Sequence, residues 1–151
     1  MNKQDKELLL KDLCARLPYG VNIRATFISF TEDKLETRDI KLTYYNAGYL
    51  DEHWIEAKPY LRPISSMTKQ ERKDLRKMLC WSFAPEDCPI FEQDFSVRTF
   101  YSYNEREQDE YYDMETMLSY FEFLNSHHFD YRGLIKKGLA LEAPDNMYNF
   151  K

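Results

Sequence analysis

Glycine is scarce in this chain. Gly20, Gly48, Gly133 and Gly138 are the only four in 151 residues, and none belongs to a Walker or dinucleotide loop, so no glycine cradle for phosphates is written into the sequence. Cysteine is as sparse. Cys14, Cys80 and Cys88 are odd in number and far apart. Without a CxxC pair they make no cysteine zinc site, and three cysteines make no disulfide scaffold, which suits a reducing compartment. Ser65 and Ser66 lack the GxSxG elbow of a hydrolase nucleophile. No apolar run approaches the roughly 18 residues of a membrane span. The start, Met1-Asn2-Lys3-Gln4-Asp5-Lys6-Glu7, is charged and leads into only three leucines, unlike a signal peptide. A basic excess is also missing: the net charge is −5, whereas bulk nucleic-acid binding draws most of its affinity from neutralised phosphates. These absences lead us to expect a soluble, cytoplasmic protein with no cofactor and no membrane association, and they lean away from an enzyme.

Aromatic residues are abundant, with 12 Tyr, 10 Phe and 2 Trp. A tyrosine ring sits comfortably at a half-wet surface, so the surplus implies a Tyr-rich core and sheet surface, or a face for a protein or a stacked base. The chain length fits one domain with enough burial to support a core without staples.

Hydrophobic periodicity then places the elements. Leu10, Leu13, Cys14 and Leu17, widened by Leu9, predict a helix over 3–17 that Pro18 closes. Val21, Ile23, Ala25 and Phe27 alternate with Asn22, Arg24 and Thr26, predicting a half-buried strand over 21–30. A second strand is expected over 35–45 and a short third over 52–57, forming an antiparallel meander. Two prolines, Pro59 and Pro63, make 59–67 an extended connector. Thr68-Lys69-Gln70-Glu71 reads as a capping box opening a helix over 69–82, with Leu75, Met78, Leu79 and Ser82 on one face. A loop over 84–94 and a strand over 95–101 are expected next. A helix over 110–127 follows, carrying Tyr111, Met114, Met117, Leu118, Phe121 and Leu124 as its apolar stripe with Tyr120 beside it, then a short helix over 131–137 stopped by Gly138, a short strand over 139–143 and a loose tail over 145–151. The expected fold is a single α+β domain over 1–144: an antiparallel sheet of three to five strands packed by about three helices.

Three phrases carry a resemblance. They are Leu10-Lys11-Asp12-Leu13-Cys14-Ala15-Arg16-Leu17-Pro18-Tyr19-Gly20-Val21, then Tyr60-Leu61-Arg62-Pro63-Ile64-Ser65-Ser66-Met67-Thr68, then His127-His128-Phe129-Asp130-Tyr131-Arg132-Gly133-Leu134-Ile135 running on to Gly138-Leu139-Ala140-Leu141-Glu142-Ala143-Pro144. In this order the chain resembles a group of small uncharacterised proteins from gut Bacteroidales genomes and their phages or mobile elements. The resemblance brings no activity with it. It implies a cytoplasmic, phage-associated setting. Read physically, all three phrases sit at junctions between elements, where fold-determining residues are expected.

Two constellations could carry chemistry. His127, His128 and Asp130 combine groups that titrate near neutral pH or ligate metals, although adjacent histidines at a helix end point about 100° apart. Lys69, Arg72, Lys73 and Arg76 share one helical face, with Arg62 upstream, and could meet phosphates or an acidic partner. An acidic run, Glu105, Glu107, Asp109, Glu110, Asp113 and Glu115, has the opposite sign. Cys80 beside Trp81 reads as a core thiol. Cys88 beside Asp87 is a poor nucleophile, because a nearby acid raises a thiol's pKa. The expectation is a non-enzymatic protein-binding or regulatory module. The alternatives are a nucleic-acid accessory protein using helix 69–77, and a small enzyme or metal site around His127, His128 and Asp130.

Overall fold

The computed structural model describes residues 1–29, 34–48, 54–79 and 114–148. It is an α+β fold. Its sheet is four-stranded and mostly antiparallel, and the described residues include four helices. The chain divides into two compact units, one of residues 1–66 with 124–151 and one of residues 67–123. The charge divides unevenly between them. The first unit has 14 Lys and Arg against 13 Asp and Glu; the second has 7 against 13.

In the first unit, helix α1 (Lys3–Arg16) starts at Asn2, whose side chain accepts from the Asp5 amide at 2.7 Å. This satisfies one orphan donor of the first turn. The face it buries is Leu9, Asp12, Leu13 and Arg16, one position away from the expected stripe: Leu10 is 50% exposed and Cys14 is exposed. Three consecutive leucines, 8 to 10, leave the apolar pattern ambiguous. An ion pair decides it. Arg16 Nε donates to Asp12 Oδ2 at 2.7 Å and Nη2 to Oδ1 at 3.0 Å, with both side chains fully buried. One turn of 3₁₀ helix over Leu17–Tyr19 ends at Gly20, at φ 68. The positive φ favours glycine there; a Cβ would meet only the flexible end of the Lys41 side chain, which can move aside.

Strand β1 (Asn22–Ile28) pairs antiparallel with β2 (Leu35–Lys41), placing Ile23 opposite Ile40 and Arg24 opposite Asp39. The second strand stops at Lys41 rather than continuing to 45. Asn46 turns the chain there: its side chain accepts from the Thr43 amide at 2.7 Å and donates to the Lys41 carbonyl at 3.0 Å, so residues 44–47 form the short helix α2 (Tyr44–Ala47). Strand β3 (Trp54–Leu61) lies antiparallel on the other side of β1, with a bulge at Thr26/Phe27. It extends through Pro59 to Leu61, residues expected in a connector. Proline forbids helix there but not a strand residue whose ladder does not use its N–H. Strand β4 (Leu141–Glu142) pairs parallel with Tyr60 and Leu61. The order is β2-β1-β3-β4, so the sheet is mostly antiparallel, as expected, with β4 added in parallel.

The core of this unit gathers Leu9 and Leu13 from α1, Ile23 and Ala25 from β1, Leu61 from β3, and Val21, Leu42, Leu134, Leu139 and Ala140 from the connections. The expected helix over 131–137 is instead a run of turns. Gly133 and Gly138 both adopt positive φ, and the first of these interrupts any helix before it can propagate. Residues 145–151 were expected as a loose tail, yet Tyr148 is anchored by hydrogen bonds to both β1 and β3, described below.

The second unit opens with the expected capping box. Thr68 N–H donates to Glu71 Oε2 at 2.7 Å and Glu71 N–H to Thr68 Oγ1 at 3.2 Å. Helix α3 (Lys69–Leu79) follows, with Leu75 buried and Met78 exposed. Helix α4 (Met114–Ser126) begins in this unit and ends in the first. It buries Leu124 and Tyr120, as expected, together with Phe123, whereas Leu118 of the expected stripe is exposed. The expected elements over 84–94 and 95–101, with residues 80–82 and 110–113, lie outside the described residues.

Truncating one member of a buried ion pair leaves the other charge without compensation. Asp12→Ala is therefore expected to destabilise the fold by about 3–5 kcal/mol. The double variant Asp12→Leu/Arg16→Met, which removes both charges, should recover part of that loss. Urea unfolding followed by circular dichroism measures both.

Candidate functional site

The candidate histidine–aspartate site lies where the chain leaves α4. Here residues 128–130 run parallel to the end of β3: Arg62 N–H donates to the His128 carbonyl at 2.8 Å, and Asp130 N–H donates to the Arg62 carbonyl at 2.7 Å. Phe129, between them, is fully buried. Its carbonyl accepts from Arg16 Nη2 at 2.8 Å, and its ring lies 4.3 Å beneath the Arg62 guanidinium, a cation–π contact. The buried pair of α1 is thus tied to this strand end. Arg132 Nε adds a second cation 3.3 Å from Asp12 Oδ1, and the Tyr131 ring lies near both guanidinium groups, 5.6 Å from Arg16 Cζ and 4.9 Å from Arg132 Cζ.

The two histidines do not converge. His127 stacks on Phe129 with centroids 6.2 Å apart, while Ser126 Oγ lies 3.2 Å from its Nδ1. His128 is buried, adopts φ 57, and faces the Tyr148 ring at 4.0 Å. Tyr148 Oη accepts from the Asn22 amide at 3.0 Å and donates to the Tyr60 carbonyl at 2.9 Å. One phenol therefore bridges the start of β1 and the end of β3. Burial pushes its pKa up to about 12. Burial also pushes the His128 pKa down to about 3, assisted by the positive charge of Arg16 and by His127, Lys41 and Arg62. A neutral imidazole packed on an aromatic ring is what this surrounding stabilises.

Asp130 has a structural task. Its Oδ1 accepts from the Leu134 amide at 2.8 Å and its Oδ2 from the Ile135 amide at 2.9 Å. Both oxygens thus cap the turn that replaces the expected helix. Among the described residues no group of three or more His, Cys, Asp or Glu side chains could hold a metal ion. His53 lies outside the described residues. His127, His128 and Asp130 are thus neighbours in sequence with three different sets of partners.

Four of the basic candidates, Lys69, Arg72, Lys73 and Arg76, lie on α3. Lys69 and Lys73 are exposed on α3. Arg72 is half-buried, and its Nε donates to the Met67 carbonyl at 3.2 Å. Gln70 Nε2 donates to both Asp74 oxygens at 2.8 and 2.9 Å, bringing an acid onto the same helix. The side chain of Arg76 is outside the described residues. Arg62 belongs to the other unit and to the Phe129 contact above.

Two surface features had escaped the sequence reading. Across β1 and β2, Arg24 Nε donates to Asp39 Oδ1 at 2.9 Å and Nη2 to Oδ2 at 3.2 Å, while Tyr60 Oη donates to Asp39 Oδ1 at 3.0 Å. The Arg24 hydrogen bonds hold the Asp39 carboxyl below its ordinary range. Burial first, and then Asp39, raise the Tyr60 pKa. Only the strand register could have revealed this pair. The second feature is α2. Tyr44 is 71% exposed and Tyr45 95% exposed, on a turn fixed by the Thr43–Asn46 capping box. Comparison with family models, curated proteins and solved structures finds no match to this chain.

With a folded-state pKa far below the ordinary 6.5, His128 contributes stability that is fully present above pH 6.5. As pH falls from 6.5 toward 3 the unfolded chain binds the proton and the folded chain does not, so that stability is lost. The cost approaches about 1.4 kcal/mol for each pH unit within this window. His128→Asn, which suits a left-handed backbone, should show a shallower decline, read from urea midpoints at pH 7, 6, 5 and 4. Tyr148→Phe should cost about 1–3 kcal/mol at neutral pH by stranding the Asn22 amide and the Tyr60 carbonyl.

Proposed function

We propose that this protein is a non-enzymatic binding module that engages a protein partner, in the cytoplasmic, phage-associated setting that the resemblance of its junction phrases implies. The observation that carries this reading is the exposed Tyr44–Tyr45 pair. Large aromatic side chains gain most by burial, and the core leaves these two in water. A tyrosine has few rotatable bonds and a hydroxyl that can bond at an interface rim, so it supplies contact area at low entropic cost. Tyrosine is accordingly enriched at interface hot spots. The local fold adds preorganisation. The Thr43–Asn46 box and the Asn46 bond to the Lys41 carbonyl fix the turn before any partner arrives, which lowers the ordering cost of binding. The exposed Lys41 beside it favours a partner with aromatic-accepting pockets and an acidic rim.

The partners of Asp130 and the burial of His128 support the non-enzymatic side of this reading, because they assign both residues to holding turns and strands together. A nucleic-acid accessory role through α3 is the second reading, favoured by the exposure of Lys69 and Lys73. It is opposed by Asp74 on the same helix and by the acidic balance of the unit that contains it.

The test is gentle purification of the whole chain from its natural source, wild type against Tyr44→Ala/Tyr45→Ala, with native mass spectrometry. A stoichiometric protein mass should be retained by the wild type and weakened about 30-fold or more by the variant, as for two hot-spot truncations, at an unchanged Tm. Equal retention by both proteins overturns the reading. A nucleic-acid mass, lost with salt and on Arg72→Glu/Lys73→Glu/Arg76→Glu, replaces it with the second.

A further inference from the structure

Strand β2 is an edge of the sheet, and among the described residues no strand pairs with its outer side. Its backbone polarity can be derived. Ser29 N–H donates to the Lys34 carbonyl and Leu42 N–H to the Val21 carbonyl, both at 2.8 Å, and the β1–β2 register has no shift between them. Antiparallel pairs alternate between hydrogen-bonded and non-bonded, so Glu36, Arg38 and Ile40 bond inward to β1. The N–H and C=O groups of Leu35, Thr37 and Asp39 therefore point outward, as do those of Lys41, whose carbonyl is taken by Asn46. Such a row is a template for another strand.

The side chains say which strand fits. When an antiparallel strand meets a copy of itself about a two-fold axis, each residue must face one on the same side of the sheet, so the axis passes through a residue position. Centred on Glu36, Arg38 or Asp39, the axis would place like charges directly opposite each other, which destabilises the pair. Centred on Thr37 it does the reverse. Thr37 then meets its copy in a hydrogen-bonded pair, and Glu36 and Arg38 each face the other's counterpart in the non-bonded pairs, where side chains are closest. Within one chain Arg38 Nη2 already lies 2.5 Å from Glu36 Oε2, so the two acids and two guanidinium groups would alternate in sign around the axis. On the opposite face Thr37 Oγ1 lies 3.0 Å from Thr26 Oγ1, and the pairing would join two such threonine pairs into one ladder.

We propose that β2 is a self-recognition edge, through which two copies of this chain pair antiparallel about Thr37 to continue the sheet. The contact is small, so the dimer forms in a concentration-dependent way. This surface is independent of the Tyr44–Tyr45 reading, and either can fail alone.

The test is sedimentation equilibrium of the full chain from about 10 to 500 μM, a range suited to weak interfaces. The wild type is expected to populate a dimer. Glu36→Arg and Arg38→Glu should each weaken it by about tenfold or more, since symmetry turns two attractive pairs into repulsive ones, and the double swap Glu36→Arg/Arg38→Glu should restore it. Thr37→Pro should abolish the dimer with circular dichroism unchanged, because it removes an outward N–H that β1 does not use. Three results overturn the proposal: a monomer throughout the range, a dimer indifferent to Thr37→Pro and to the single charge reversals, or single reversals that weaken it while the double swap does not restore it.

Discussion

A buried guanidinium organises the first unit. Arg16 spends two nitrogens on Asp12 and shares one of them with the Phe129 carbonyl, so a residue on the first helix fixes a strand end more than a hundred positions later. Burying two charges is costly, and their attraction offsets that cost only when geometry and extra hydrogen bonds are good. The pair has both, with Arg132 contributing from outside and the Tyr131 ring near the guanidinium. The specificity this gives is of place. Leucines 8 to 10 would let α1 turn either of two faces inward, and only one of them delivers Arg16 to Phe129.

The same strand end gives His128 and Asp130 their structural partners. Residues 128–130 bond to Arg62 through backbone groups on both sides, which commits the peptide plane of each residue. His128 is left in a left-handed conformation against Tyr148, and Asp130 accepts from two amides of the following turn. Burial, with the neighbouring charges adding to it, keeps the imidazole neutral; a general base or acid would need a pKa near its working pH. The C-terminal Tyr148 completes the arrangement by hydrogen bonding to both β1 and β3. The junction phrases of the sequence meet here physically: the first supplies Asp12 and Arg16, the second Tyr60 and Arg62, the third His128 to Arg132.

Much of the fold was legible because short-range rules carried it. The period of two in 22–28, the Thr68–Glu71 capping box and the α+β class all follow from local pattern. Errors arose where a long-range contact outranked a local one. The faces of α1 and α4 were chosen by what they pack against, which periodicity alone does not encode. The strand expected to reach 45 was cut short by an Asn46 side chain bonding backward. Pro59 and Pro63 suggest an extended connector over 59–67, yet Pro59 lies in β3 opposite Ile23. The turn over 131–137 has helical composition, but Gly133 at positive φ and the two Asp130 bonds close it differently. As for the candidate sites, sequence proximity gathered His127, His128 and Asp130 into one group, and helical projection gathered the basic residues into one strip. Three-dimensional partners separated the first group. The Arg24–Asp39–Tyr60 cluster, and the display of Tyr44 and Tyr45, required register and burial to see.

The buried Arg16 and Asp12 side chains and the half-buried Tyr148 bond to distant parts of the same chain. The exposed face of β1 and β2 carries Arg24 against Asp39 and Thr26 against Thr37, cross-strand pairs that hold register and fix the phase of β2. That phase has a consequence at the edge. It turns the backbone groups of Thr37 outward while placing Glu36 and Arg38 on either side of it, so the constraint that stabilises the pairing inside one chain also sets the charge pattern that a neighbouring strand would meet. A one-residue slip of β2 would exchange its faces, separating Arg24 from Asp39 and turning the backbone groups of Glu36 and Arg38 outward instead. Stability of the sheet and recognition at its edge therefore rest on a single register.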